Sequence, residues 1–175
     1  MSTEKKKNMM RNPRIVKCVV SIGVGDGGEK LERAKKVLTM LTDQEPVDTI
    51  SRTTNADLGI RKGQTIGCKV TLRGKTAYDF LKRAFWVKEN MIWDDSFDTY
   101  GNFAFGIEDY TDFEGMSYNP NIGVFGMDIS VNLARKGYRI TRRSKLKRSL
   151  PENHKLTMEE GQNFVRKAFG VEVLE

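Results

Sequence analysis

What the chain is short of narrows its chemistry first. It holds one histidine, His154, and two cysteines, Cys18 and Cys68. So small a set cannot assemble a Cys/His zinc site, and His154, in a polar loop beside Pro151, Glu152 and Asn153, is not expected to serve a Ser-His-Asp triad. Both cysteines fall on the apolar parity of predicted strands. They read as reduced core residues of a cytosolic protein, with a disulfide between neighbouring strands as the alternative. No apolar run approaches the length that spans a bilayer, and Glu4-Lys5-Lys6-Lys7 at the start is not the apolar segment of a signal peptide. Membrane attachment is therefore not expected, and the cytoplasm is the expected compartment. There is no internal repeat and no loop with calcium-binding spacing. Asp94, Asp95, Asp98, Asp109 and Asp112 stand beside Tyr, Gly and Asn, where carboxylates form turns or meet solvent rather than hold magnesium for catalysis.

One more absence is regional. Between residues 89 and 134 there are nine acids and no base. The surplus of cations lies elsewhere: six against one acid in residues 1–17, nine against two in residues 52–88, and eight against none in residues 135–148. The acidic stretch reads as a solvated face. Three recurring basic blocks, with a formal net charge of +7, point to a polyanionic partner.

With 38 % apolar residues in 175, the chain can bury a core of single-domain size. Residues 1–12 read as a disordered basic tail, 13–134 as the core domain, and 135–175 as a basic extension ending in a helix. Strict alternation predicts a strand over 15–24, with Val16, Cys18, Val20, Ile22 and Val24 inward. Helical spacing of Leu31, Ala34, Val37, Leu38 and Leu41 predicts a helix over 29–41. A short strand follows over 46–51. Thr76 and Asp79 resemble a capping box opening the next helix, whose inner face is Ala77, Phe80, Leu81, Ala84 and Phe85. Strands are predicted over 102–108 and 122–133, and a last helix from Thr157, capped with Glu160, to Gly170. The class is α+β: about five strands in a mostly antiparallel sheet, helices largely on one face, the other face open.

Residues 63–74 carry the sharpest pattern. Ile66, Cys68, Val70 and Leu72 alternate with Thr65, Lys69, Thr71 and Arg73. The second set gives an outer face of cations and hydroxyls, suited to phosphate and ribose edges. The loop 52–62 before it is either a mobile hairpin tip or a protruding basic finger. Gly23-Val24-Gly25-Asp26-Gly27-Gly28 is a literal G-x-G-x-x-G between a strand and a helix, with Asp43 and Glu45 near the spacing of a ribose-binding acid. It leaves a nucleotide-dependent enzyme as a rival reading, against which stands the lack of an alternating βαβ pattern. A generic RNA-binding module is the third.

Five blocks then occur in order: Val19-Val20-Ser21-Ile22-Gly23-Val24-Gly25, Asp43-Gln44-Glu45-Pro46-Val47, residues 60–74 from Ile60-Arg61-Lys62-Gly63-Gln64 onward, Gly101-Asn102-Phe103-Ala104-Phe105-Gly106-Ile107, and Gly126-Met127-Asp128-Ile129. Together they resemble the large-subunit ribosomal protein L-five family, in its archaeal and eukaryotic branch and nearest the archaeal form. The resemblance spans about residues 12–133. It implies a non-enzymatic scaffold without a cofactor, resident in the ribosome and bound to 5S rRNA, neighbouring large-subunit rRNA and other large-subunit proteins in the central protuberance. It also implies that Ser21, Gln44 and Thr71 hydrogen-bond 5S rRNA while Lys17, Lys69 and Arg73 neutralise phosphates. The loop 52–62 matches the family loop that reaches peptidyl-site tRNA, with Arg52, Thr53, Thr54, Asn55, Arg61 and Lys62 as its contact candidates. The family often has Asn in place of Ser21 and usually Gly in place of Asp43. Beyond the resemblance, Arg135, Lys136, Arg139, Arg142, Arg143, Lys145, Lys147 and Arg148 are assigned to rRNA phosphates on charge alone.

Overall fold

Period-two alternation of β-branched residues builds the centre of the molecule. The computed structural model describes residues 8–25 and 27–174. Strand β1 (Arg14–Gly23) is the longest and lies in the middle of a five-stranded sheet. It pairs on one side with β3 (Thr65–Leu72) and on the other with β6 (Met127–Ala134). The edges are β2 (Val47–Ile50) beside β3 and β5 (Phe103–Ile107) beside β6. Every neighbouring pair in this sheet is antiparallel.

Register fixes which residues share a face. Cys18, Val20 and Ile22 oppose Leu72, Val70 and Cys68, and the same face continues through Val131 and Ile129 into Phe103 and Phe105. Against it pack α1 (Glu29–Thr42) and α2 (Lys75–Val87), whose apolar stripes are the ones helical spacing predicts. Full burial of each Leu, Val or Phe in this core contributes roughly 1.5–3 kcal/mol. Phe85 of α2 meets Phe105 of β5 at a ring distance of 5.4 Å and Phe169 at 4.9 Å, which ties α3 (Met158–Phe169) to the same side. Both cysteines are free and buried. Burial pushes the Cys18 thiol up to about 12 and the Cys68 thiol to about 11.

Several sequence expectations need correction. Ile15, not Val16, enters the core, because the register with β6 shifts between Ile15 and Lys17. The extra residue of that bulge is Val16. Thr76 does not cap α2: Gly74 is the N-cap, and the Thr76 hydroxyl donates to the Arg73 carbonyl at 2.9 Å from inside the first turn. The strand expected from residue 122 begins at Met127, because 119–123 fold into a turn closed by bonds to the Asn119 carbonyl. The tail 1–12 falls mostly outside the described residues; its remainder forms a single 3-10 turn, Met9–Arg11, capped by Asn8.

Nor is 135–175 an appendage. Leu156, Val165 and Val171 belong to the main core. The chain passes α3 and finishes in a strand, β7 (Glu172–Leu174), parallel to β4 (Met91–Trp93). The predicted capping box on α3 is present, with Thr157 and Glu160 bonding each other's backbone amides. Docking of α3 depends on two glycines: a Cβ on Gly161 would lie 2.7 Å from Gly101 Cα, and Gly101 itself has φ +71°.

Candidate nucleic-acid interface

Parity sends the complementary residues of each strand to the side no helix covers. Ser21 lies opposite Lys69 on one flank and Asp128 on the other; Val19 lies between Thr71 and Ser130. Gly106 opposes Asp128, and Ala104 opposes Ser130. The centre of this face is therefore small: Ser21, Gly23, Gly67, Ala104, Gly106 and Ser130. A Cβ on Gly67 would sit 2.5 Å from the Ile22 carbonyl oxygen, so only glycine allows β1 and β3 to approach here. Lys17, Lys69, Asp98, Ser130 and Asn132 border a shallow depression of about 530 Å³ on the face. Asn132 is fixed there by donating to Asn102 Oδ1 at 2.8 Å, and Ser21 Oγ donates to the Asp128 carbonyl at 3.5 Å. A flat surface of small residues with hydroxyls, amides and two lysines admits a nucleic-acid backbone closely and offers donors to its oxygens.

Four of the six candidate residues, Lys17, Ser21, Lys69 and Thr71, come together on this open face. Arg73 stands one step past β3, level with Lys17 in register and exposed. Gln44 is not on the sheet. It is half-buried in the turn between α1 and β2, behind Asp43, which ends α1 in the left-handed region at φ +52°. Aspartate tolerates that conformation better than most residues. On the helix side of the sheet, Asp48 is paired with Lys35 at 2.7 Å; this bond raises the lysine's pKa above its ordinary value and turns that acid away from the open face. Asp128, Ser130, Asn132, Ala104 and Gly106 were missed as site residues. Their outward parity is legible in the sequence, but only the pairing of β6 with β1 and β5 places them beside Ser21.

The loop 52–62 is an ordered hairpin tip linking antiparallel β2 and β3. Asn55 and Ile60 bridge its two arms, with backbone bonds of 2.8 and 2.9 Å. Thr54 Oγ1 accepts from the Lys62 amide, and Asn55 Oδ1 accepts from the Asp57 amide. Those two side chains shape the finger from within. Arg52, Thr53, Arg61 and Lys62 are exposed, and the cations have no acidic partner among the described residues.

The block 135–148 is a folded loop rather than a trailing segment. Tyr138 Oη accepts from the Leu156 amide at 3.1 Å, and His154 Nε2 lies 2.8 Å from the Lys136 carbonyl. Lys136, Arg139, Arg142, Arg143, Lys145, Lys147 and Arg148 are exposed. Arg135 is the exception and corrects its assignment to phosphate. Its guanidinium is buried, paired with Glu160, and donates to the Asn153 carbonyl at 3.3 Å.

The glycine-rich turn does not support nucleotide binding. Its Val24 and Gly25 amides both donate to the Ile66 carbonyl at 2.9 Å, so they are spent on β3 rather than free for a pyrophosphate. Both neighbours of β1 are antiparallel, which excludes a βαβ crossover, and Asp43 lies at the far end of α1. Asp26 lies outside the described residues. Among the described residues, no helix is long and apolar enough to cross a membrane, and no three His, Cys, Asp or Glu side chains cluster to hold a metal.

Residues 8–61 match the family model of ribosomal protein L5, and residues 65–164 match the model of the same ribosomal family's C-terminus. The second match runs well past residue 134, in keeping with the integration of the basic block and α3 into the core. The large ribosomal subunit protein uL5 of Methanoregula boonei is 49 % identical over 164 residues, covering 94 % of this chain and 99 % of that protein. Those of Thermoplasma acidophilum and Methanococcoides burtonii are 48 % and 44 % identical, covering 95 % of this chain and 99 % and 98 % of their own lengths. The chain belongs to the uL5 family of large-subunit ribosomal proteins, in its archaeal form, a family of structural constituents of the ribosome rather than enzymes.

Proposed function

We propose that the open sheet face binds 5S rRNA, that the block 136–148 holds neighbouring large-subunit rRNA in the central protuberance, and that the 52–62 finger contacts peptidyl-site tRNA. The observation that carries the reading is the face itself: Lys17, Ser21, Lys69 and Thr71 gathered on one side over a floor of glycine, alanine and serine. Lys17, Lys69 and Arg73 neutralise phosphates, and the hydroxyls of Ser21 and Thr71 supply directed hydrogen bonds, with Gln44 at the margin. Asp128, beside Ser21, and Asp98, at the rim of the depression, are acids on this surface, and they limit close phosphate approach. The finger and the block sit at opposite ends of the sheet, because β3 begins beside the finger while β6 runs out into the block. One protein therefore reaches two different RNA neighbours besides the one on its face.

A filter-binding titration of the full chain with 5S rRNA tests this. Binding is expected to weaken steeply with salt, losing roughly one unit of log–log slope for each phosphate contact removed by Lys69→Gln or Lys17→Gln. Equal affinity for 5S rRNA and an unrelated structured RNA reduces the protein to a generic RNA-binding module and overturns the specific assignment.

A further inference from the structure

The cations of the basic block are not equivalent in space. Arg139, in the 3-10 turn Tyr138–Thr141 that follows Gly137, and Arg142, the residue after that turn, border one small pocket of about 210 Å³. Arg14, the first residue of β1 and far away in sequence, borders it too. Val16 and Tyr138 supply its apolar part, and the buried Arg135 forms part of its wall. Two local devices create the space. The bulge at Val16 alters the start of β1, and Gly137, at φ +103°, turns the chain back over that strand.

The pocket has no acid among its lining residues. Arg14, Arg139 and Arg142 are exposed and have no acidic partner among the described residues, whereas Arg135 is already neutralised by Glu160. Three arginines without acidic partners bordering one small concavity favour an anion there over a neutral group. The planar forks of arginine match the oxygens of a phosphate, and Tyr138 offers an adjoining surface to the sugar. The remaining cations lie elsewhere: Arg143 Nε donates to the Leu146 carbonyl at 2.9 Å, and Lys145, Lys147 and Arg148 do not border the pocket.

We propose that Arg14, Arg139 and Arg142 form a dedicated pocket for one phosphodiester of large-subunit rRNA. This rests on the reading of the block as an rRNA-binding element. It adds which of the block's cations act as a unit, and it recruits Arg14 from the other end of the core.

The test uses the full chain and protein-free large-subunit rRNA without 5S rRNA, titrated over a range of KCl concentrations. Arg139→Gln/Arg142→Gln is compared with Lys145→Gln/Lys147→Gln, which removes the same charge outside the pocket. The pocket pair is expected to lower affinity roughly tenfold more than the control pair and to reduce the salt slope by about one. Adding Arg14→Gln to the pocket pair is expected to cost little more, because a unit is lost once. Equal losses from the two pairs overturn the pocket while leaving the block an rRNA-binding element. No loss from either overturns both. Binding to 5S rRNA by the same variants, read separately, reports on the sheet face and distinguishes its failure from that of the pocket.

Discussion

The carboxylate of Glu160 holds the guanidinium of Arg135, joining the residue after β6 to the first turn of α3. The two ends of the pair differ: 8 % of the arginine side chain is exposed against 43 % of the glutamate. Glu160 uses its second oxygen to accept from the Thr157 amide at 3.4 Å. One carboxylate thus caps α3 and neutralises a buried cation. In sequence, Arg135 is simply the first of eight basic residues; in the fold it is the buried one, tied to α3 and to the Asn153 carbonyl.

Removing the two partners is expected to have unequal effects. Glu160→Gln leaves a buried charge without its counter-ion and should destabilise the fold by about 3 kcal/mol, the lower end for a broken buried pair because the glutamate is partly wet. Arg135→Met replaces the charge with apolar bulk and should cost about 1 kcal/mol. Urea denaturation of the two variants measures both; a larger loss from Arg135→Met contradicts the asymmetry.

At Gly67, the close approach of β1 and β3 leaves no room for a side chain. Gly67→Ala sets a Cβ 2.5 Å from the Ile22 carbonyl oxygen and 3.0 Å from Thr49 Oγ1, and backbone on a central strand cannot give way cheaply. Overpacking of this kind costs about 1–3 kcal/mol. Thermal melting is expected to show a clear drop in Tm, whereas Gly23→Ala, with nothing within 4 Å of its Cβ, should melt close to the wild type.

The buried thiols make stability pH-dependent on the alkaline side. Burial raises Cys18 to about 12 and Cys68 to about 11, from an ordinary value of 9.0. The folded state keeps its protons where the unfolded chain has released them. The stabilisation is full below about pH 9 and is lost as pH rises through the folded-state values. Cys18→Ala/Cys68→Ala should flatten that alkaline fall in a series of denaturation curves. At about pH 8 the folded protein should resist iodoacetamide, and the urea-unfolded chain should react at both positions.

Much of this was legible in the residues. Strict alternation in 17–24 and 63–74, and the Leu and Phe spacing of α1 and α2, determine their faces without knowledge of neighbours. Errors fell where a long-range partner decides the outcome. Val16 has the parity of a core residue and loses it to a bulge opposite Leu133 and Asn132. Thr76 has capping chemistry, but the chain enters α2 through Gly74, at φ +62°. Of the candidate interface, the cations and hydroxyls of β1 and β3 could be read locally. The contribution of β6 and β5 could not, because strand order is a property of pairing. Arg14 joined Arg139 and Arg142 only through the fold.

The finger yields a separable prediction. Arg61→Gln/Lys62→Gln removes two exposed cations and leaves the finger's internal bonds in place, since Lys62 donates to Thr54 and Arg61 to Gln64 through backbone amides and Asn55 bonds Asp57. Cross-linking of tRNA to the protein in programmed ribosomes should fall several-fold, with 5S rRNA affinity of the isolated chain changed less than for Lys69→Gln. A larger effect on 5S rRNA than on tRNA contradicts the division of labour between tip and face.

Thr71 lies on the uncovered side of β3, opposite Val19 and two residues from Lys69. A photo-reactive residue introduced at position 71 and activated in purified ribosomes asks directly what covers that face. If the sheet face holds 5S rRNA, the protein is recovered covalently joined to 5S rRNA, and Lys69→Gln weakens that yield. Recovery of cross-links only to other RNA, or only to a neighbouring protein, contradicts it.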